Sequence, residues 1–289
     1  MKYHYKKALH SIYHFLKKLG FFRRLKNHKS LFGLTFQKNH VNLEYWLNKE
    51  NLGDSLSPVI VDWMLSKCNL TRDDYTQKTS HLYALGSIIG SSDFDAVIWG
   101  SGIHTQELID LVKDQKNYVR YDIRLLRGPV TQKILMDAGY DAPSIYGDPA
   151  IIMPYIYTPK KIAHYKVSII RHMQTKNSEQ IPEEIHEINL ATTNYKHFLN
   201  EIISSDLIIT SSLHGIILSE AYGVPAIFYK KGMDNELIKY DDYYQSTGRN
   251  SYVAVDSLDE ALQVTPMPLP DLSKLRENII NTFPYDLWK

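Results

Sequence analysis

Leu207-Ile208-Ile209-Thr210-Ser211-Ser212-Leu213-His214-Gly215-Ile216-Ile217-Leu218-Ser219-Glu220-Ala221-Tyr222-Gly223-Val224-Pro225 reads as a strand, a polar loop and a helix in immediate succession. The β-branched run Leu207–Thr210 is short enough for a buried strand. The apolar residues after it predict a helix over Gly215–Tyr222, which Gly223 and Pro225 would stop. The next β-branched and aromatic run, Ala226–Tyr229, follows at once and predicts a second strand. Strand–helix–strand in so few residues points to parallel strands. The loop between them brings two hydroxyls (Ser211, Ser212), an imidazole (His214) and the helix-start amides of Leu213–Gly215 to one place. Such a loop can hold a phosphate or carboxylate and supply a proton. A purely structural turn is the other reading.

Working outward, the same alternation recurs. Strands are predicted over His81–Ser87, Ala96–Trp99, Tyr118–Tyr121, Lys166–Ile170 and Tyr252–Val255. Helices are predicted over Ser55–Lys67, Val130–Ala138, Tyr195–Ser204, Leu258–Val264 and Asp271–Asn281. The periodic pattern lapses at Pro154–Lys161. The chain therefore divides into a basic arm (1–43), an N-terminal Rossmann-like domain (44–157) and a C-terminal one (158–289). The predicted fold class is α/β, two doubly wound domains behind a basic amphipathic helix. Such domains bind ligands beyond the carboxyl ends of their strands, so loops there are the candidates for chemistry.

Asn51-Leu52-Gly53-Asp54-Ser55 is one such loop: Asp54 stands where a helix N-cap would, or is a carboxylate that accepts a proton from a hydroxyl. Gly100-Ser101-Gly102-Ile103-His104 follows Ala96–Trp99, its glycines allowing close backbone approach beneath His104. Arg127-Gly128-Pro129 opens a helix, where free amides and a guanidinium attract anions; Arg127 is otherwise a surface arginine paired with an acid. Arg171-His172 and Lys230-Lys231 end strands and are weaker anion candidates. Tyr146-Gly147-Asp148-Pro149 reads as a turn, and Asp241-Asp242-Tyr243-Tyr244 as a solvated helix end. No His/Cys spacing suggests a metal, and no P-loop or nucleophile elbow occurs.

The 289 residues carry a formal net charge of only +1. That average hides a division. Residues 1–43 hold ten Lys or Arg and no acid; taking those ten from the chain's 33 leaves 23 bases against 32 acids, or −9, in the body. Over residues 2–19, Tyr5, Leu9, Ile12, Leu16 and Leu19 share one helical face and Lys6, Lys7, Lys17 and Lys18 the other. This suits a helix lying on an anionic membrane surface, or one packed on the acidic body. Nucleic acid is the weakest partner for an acidic body without a binding module. The lone Cys68 cannot form an internal disulfide, which suits a reducing cytoplasm, and it reads as a small apolar side chain at a helix end.

Taken in order, Asn51–Pro58, Gly100–His104, Arg127–Thr131, Gly147–Pro149, Ser211–Pro225 and Asp242-Tyr243-Tyr244 resemble the motifs of polysaccharide pyruvyl transferases, over roughly residues 45–250. The resemblance implies a fold like that of the two-domain GT-B glycosyltransferases. It also implies transfer of a pyruvate ketal from phosphoenolpyruvate to a sugar of a cell-surface or exopolysaccharide glycan, with no cofactor. It places Asp54, His104, Arg127 and His214 at active-site positions; the strand-end loops themselves offer Gly53, Gly102, Ser211, Ser212, Leu213, Gly215, Arg171, His172 and Lys230 for substrate binding. Where some members have arginine this chain has Ser212, so another cation, Arg171 or Lys230, is expected to serve the donor. The expected setting is the cytoplasmic face of a membrane, reached through residues 1–29, with a lipid-linked acceptor. A nucleotide-sugar glycosyltransferase on the same fold, or a silent glycan-assembly protein, are the alternatives.

Overall fold

The computed structural model describes residues 37–46, 51–172 and 180–289; the predicted amphipathic helix of residues 2–19 lies outside them. Two parallel sheets organise these residues. The first joins β1 (Val41–Glu44), β2 (Ser80–Tyr83), β3 (Ala96–Trp99) and β4 (Tyr121–Leu125) in sequential order. The second comprises β5 (Ser168–Ile170), β6 (His186–Glu187), β7 (Ile208–Thr210), β8 (Ala226–Tyr229) and β9 (Ala254–Val255), in the order β6-β5-β7-β8-β9. All pairings are parallel. The chain moves from β5 to β6 on one side, then returns to place β7 on the other. Among the described residues that reversal occurs in the second sheet alone. The first is wound one way, each strand being added beyond the one before.

The helices are α1 (Leu52–Ser66), α2 (Gln106–Gln115), α3 (Pro129–Asp137), the single turn α4 (Met153–Ile156), α5 (Tyr195–Ile203), α6 (Leu213–Ala221), α7 (Leu237–Ser246), α8 (Leu258–Gln263) and α9 (Ser273–Asn281). Their starts follow local chemistry. Asn51 caps α1 by accepting from the Gly53 N–H, Thr105 caps α2, and Ser212 caps α6. Pro129 opens α3, where its missing N–H costs no hydrogen bond.

One apolar core joins the two sheets. It includes Leu82 and Trp99 from the first sheet, Leu56 and Ile60 from α1, Ile151 and Ile152 after β4, Ile216 and Ile217 from α6, and Phe228 from β8. The end of the chain returns to the first sheet. The Trp99 indole donates to the Ile279 carbonyl at 3.1 Å, the Tyr285 hydroxyl to the Met64 carbonyl at 2.9 Å, and Arg124 pairs with Asp286.

Several local expectations differ from the structure. The strand predicted over Tyr118–Tyr121 begins at Tyr121, because Tyr118 and Val119 turn back to the Gln115 carbonyl. The strand predicted over His81–Ser87 ends at Tyr83, and the chain then bends through Gly86 at φ +96. Val41–Leu43, counted with the arm, form most of strand β1. Helix α2 was not predicted, its apolar positions being few. Cys68 is exposed rather than packed, since α1 has already ended at Ser66.

Candidate active site

In the second sheet the strand order reverses between β5 and β7, and in such sheets ligands bind in the crevice beyond the carboxyl ends of the strands at that point. The β7–α6 loop is tied to β5 by its own backbone. Ser211 N–H donates to the Ile170 carbonyl, and Thr210 Oγ1 to the same carbonyl at 2.8 Å. Ser211 Oγ accepts from the His172 N–H at 2.7 Å, and Ser212 Oγ caps α6. The Tyr240 hydroxyl, from α7, donates to the Ser211 carbonyl at 2.7 Å. Both serine hydroxyls therefore shape the loop, and His214 sits in the first turn of α6.

Three loops of the first sheet close on this crevice. The first turn of α1 brings Gly53 so near His214 that a Cβ there would overlap the imidazole. Asp54 is in that first turn and is not the cap, because Asn51 already holds that place. Its carboxylate borders Gly86, whose carbonyl accepts from Ser101 Oγ at 2.8 Å and from the Gly102 N–H at 3.0 Å. Next to Gly86, the Ser87 carbonyl is bonded to His104 Nδ1 at 3.1 Å, and Ser87 Oγ accepts from Arg127 Nη1 at 2.5 Å. A Cβ at Gly102 would overlap the Arg127 guanidinium.

Arg127 is buried, not a surface arginine. Its Nε donates to Asp242 at 3.0 Å and its Nη2 to the Ile103 carbonyl at 2.8 Å. Asp242, read from sequence as part of a solvated helix end, is wholly buried in the middle of α7. It also accepts from the Thr131 N–H at 2.8 Å and the Thr131 hydroxyl at 2.7 Å. One helical turn before Asp242 stands Lys239, nearly buried and paired with Glu236. The placement is dictated by the 3.6-residue period, which puts Lys239 and Asp242 on one face of α7.

The electrostatics show how closely these groups gather. Burial pushes Asp54 up to about 7; Lys239 pulls against the rise and Asp148 adds to it. Burial also lowers His104, His172 (to about 4), His214 and Lys239 from their ordinary values. The positive charge of Lys239 pushes all three histidines further down, and Arg127 does the same to His104 and His214. For the three histidines burial is the largest cause, and neighbouring positive charge adds to it.

Comparison with known proteins decides the family. The chain matches the family described as polysaccharide pyruvyl transferase over residues 3–230. It belongs to that family. The match begins inside the basic segment that the motif resemblance had left out. The succinoglycan biosynthesis protein ExoV of Rhizobium meliloti (strain 1021) is 27% identical over 236 residues, covering 75% of this chain and 69% of that protein. The uncharacterized protein L143 of Acanthamoeba polyphaga mimivirus is 24% identical over 232 residues, covering 74% and 77%. In fold, the chain resembles the crystal structure of protein KP1_0663 from Klebsiella pneumoniae, with a TM-score of 0.50 at 16% identity, over 83% of this chain and 98% of that one.

In this pyruvyl transferase, Asp54, His104, Arg127, His172 and His214 surround one region, with Gly53, Gly102, Ser211, Ser212, Leu213 and Gly215 forming its backbone. Two expected cations each hold an acidic partner, as Lys239 itself does. Arg171 donates from Nε and Nη2 to Glu187, and Lys230 pairs with Asp256 at 3.1 Å. Sequence reading missed Lys239 and Glu236, and took Asp148 for a turn residue rather than a catalytic carboxylate. Spacing along α7 from the Asp242-Tyr243-Tyr244 motif was the only available signal for Lys239. Among the described residues no group of three or more His, Cys, Asp or Glu is arranged to hold a metal. Nor is any described helix long and apolar enough to cross a membrane.

Proposed function

We propose that this pyruvyl transferase takes its pyruvyl group from phosphoenolpyruvate and builds a ketal on two hydroxyls of an exopolysaccharide or other cell-surface sugar, carried on a lipid-linked acceptor. The supporting observation is the packing of Gly53, in the first turn of α1, against His214 of α6, where loops of the two sheets meet and Lys239 and Arg127 act on the imidazole. Phosphoenolpyruvate places a carboxylate and a phosphate on one small frame, and such a ligand needs concentrated positive charge with little apolar surface. Lys239 takes the place of the cation absent at Ser212. Of the five N–H donors of a guanidinium, Arg127 commits one each to Asp242, Ser87 and Ile103.

The chemistry follows from the donor. His214 gives a proton to the methylene carbon, which becomes the methyl group while C2 gains oxocarbenium character. One sugar hydroxyl adds to C2 and loses its proton to Asp54 or His104. The C2–O bond to phosphate then breaks as the protonated Asp54 or His104 passes that proton to the phosphate, which leaves as the hydrogen phosphate dianion; the second hydroxyl closes the ketal at C2, and its proton restores His214. A base with its pKa near 7 is well matched to this work at neutral pH, and Asp54 is held there by burial.

The same reading takes the sheets as two Rossmann-like domains of GT-B type, with the donor between them. Residues 1–29 dock the enzyme on the anionic inner face of the membrane, where lipid-linked acceptors are presented.

The test is phosphate release from phosphoenolpyruvate against a panel of glycan acceptors. Release that depends on the acceptor is expected. Inhibition of glycosyl transfer by a nucleoside diphosphate, with phosphoenolpyruvate inert, would replace this reading with a nucleotide-sugar glycosyltransferase. Glycan binding without turnover of any donor would leave an assembly protein.

A further inference from the structure

His214 Nε2 and Asp148 Oδ2 are both buried and both lack a hydrogen-bond partner, yet they lie 3.9 Å apart. A buried polar atom left unpaired costs roughly 1–3 kcal/mol, so two of them facing each other ask for a purpose. The surroundings hold both groups in place. Asp148 is 1% exposed, and its other oxygen, Oδ1, accepts from the Ala150 N–H at 3.0 Å at the start of the helical turn Pro149–Ile152. His214 is fixed by α6 on one side and by Gly53 on the other. The missing side chain of Gly53 lets its backbone pack against the ring, closest at Nδ1, where a Cβ would overlap it.

We propose that Asp148 is the positioning residue of an Asp148–His214 pair: it holds the Nε2–H of His214, fixes the tautomer and sustains the imidazolium, leaving Nδ1 to exchange protons with the substrate. This rests on the reading of His214 as the proton donor. Donor binding needs to move the ring by only about 1 Å to bring the pair to ordinary hydrogen-bond length.

The charges around His214 make the role necessary. Burial lowers its proton affinity, and so do Arg127, ahead of α3, and Lys239, on α7. Asp148 is the group that raises it. From α1, Asp54 lies within electrostatic reach of both Asp148 and Lys239. An acid in that setting without Asp148 gives up its proton too early to deliver it. Sequence reading took Asp148 for a turn residue, because the Gly147-Asp148-Pro149 signature describes its backbone and says nothing of Oδ2.

The test is a titration of the His214 ring nitrogens by NMR in the resting full-length enzyme, for the native chain and for Asp148→Asn. The amide keeps the oxygen that caps Ala150 and removes the charge. The expected results are an Nε2–H tautomer in the native enzyme and a His214 pKa lower by at least one unit in Asp148→Asn. The alkaline limb of the kcat profile, where the acid loses its proton, moves to lower pH by the same amount. Asp148→Ser, which retains a capping oxygen, gives the same shift. An unchanged His214 titration in either variant overturns the pair, and if neither folds, an Nδ1–H tautomer in the native enzyme does so. Because the titration needs no donor, failure of phosphoenolpyruvate turnover would sink the proposed function and leave this result standing on its own.

Discussion

Arg127, two residues beyond β4, donates from Nε to Asp242 in the middle of α7 at 3.0 Å, with both side chains all but sealed from solvent. The pair joins the loop that leaves the first sheet to a helix between β8 and β9 of the second. Breaking a buried ion pair by removing one partner leaves an uncompensated charge, at about 3–5 kcal/mol. Asp242→Ala is therefore expected to lose stability of that order in urea denaturation, and the double variant Arg127→Met/Asp242→Leu to recover most of it. A loss in Asp242→Ala below about 1 kcal/mol, the scale of an exposed pair, contradicts the buried linkage.

Two glycines of the site are expected to respond differently to alanine. At Gly128 an added Cβ would meet the backbone carbonyl of Asp242, and at Gly53 it would meet only the His214 ring. Backbone cannot step aside as a side chain can, and overpacking of this kind costs about 1–3 kcal/mol. Gly128→Ala should therefore lower the melting temperature clearly. Gly53→Ala should lower melting less than Gly128→Ala does, while cutting kcat at least tenfold, as His214 is displaced.

Asp54 carries a pH signature. Its folded pKa, about 7, lies above the ordinary carboxylate value of 3.8, so between those values the folded state holds more protons than the unfolded one. Stability then falls as pH rises from about 4 to 7. Asp54→Asn should show a shallower fall across that window and, above pH 7, greater stability than the native protein. As the proposed base, its loss should lower kcat by about 100-fold or more. Equal slopes of stability against pH in the two proteins would place the raised pKa elsewhere.

Lys239→Met should raise the KM for phosphoenolpyruvate at least tenfold, with a smaller change in kcat. Glu236, its partner, is left unpaired by that change, so Lys239→Met/Glu236→Gln is the proper comparison. Lys230→Met, which removes only the partner of Asp256, is expected to leave KM near the native value. The opposite ranking of the two lysines refutes the assignment.

Deleting residues 1–29 should abolish sedimentation with anionic liposomes while sparing phosphate release on a water-soluble acceptor. Undiminished liposome binding by the truncated chain would end the membrane-docking reading.

Legibility followed the range of the interactions. Leu207–Pro225 disclosed β7, its loop and α6 because strand period, capping and helix stop are settled within a few residues of each position. The glycines at 53 and 102 were visible for the same reason, as loop residues beside strand or helix ends. Arg127 was visible as a cation at a helix start. That it is buried was not, because burial depends on Asp242, 115 residues further on.

The sequence by itself determined the alternating α/β plan, the separation of a basic arm from an acidic body, and the ordered loops that point to the family. All of these are properties of neighbours along the chain or of simple composition. Only the tertiary structure decided which groups share a site. It turned Asp242 from a solvated helix end into the anchor of Arg127, gave Arg171, Lys230 and Lys239 alike acidic partners, and brought Lys239 within electrostatic reach of His104, His172 and His214. It also set Asp148 opposite His214. The physical reason is that a side chain's charge, exposure and proton affinity are fixed by what folds against it, and in this protein those partners arrive from distant strands and helices.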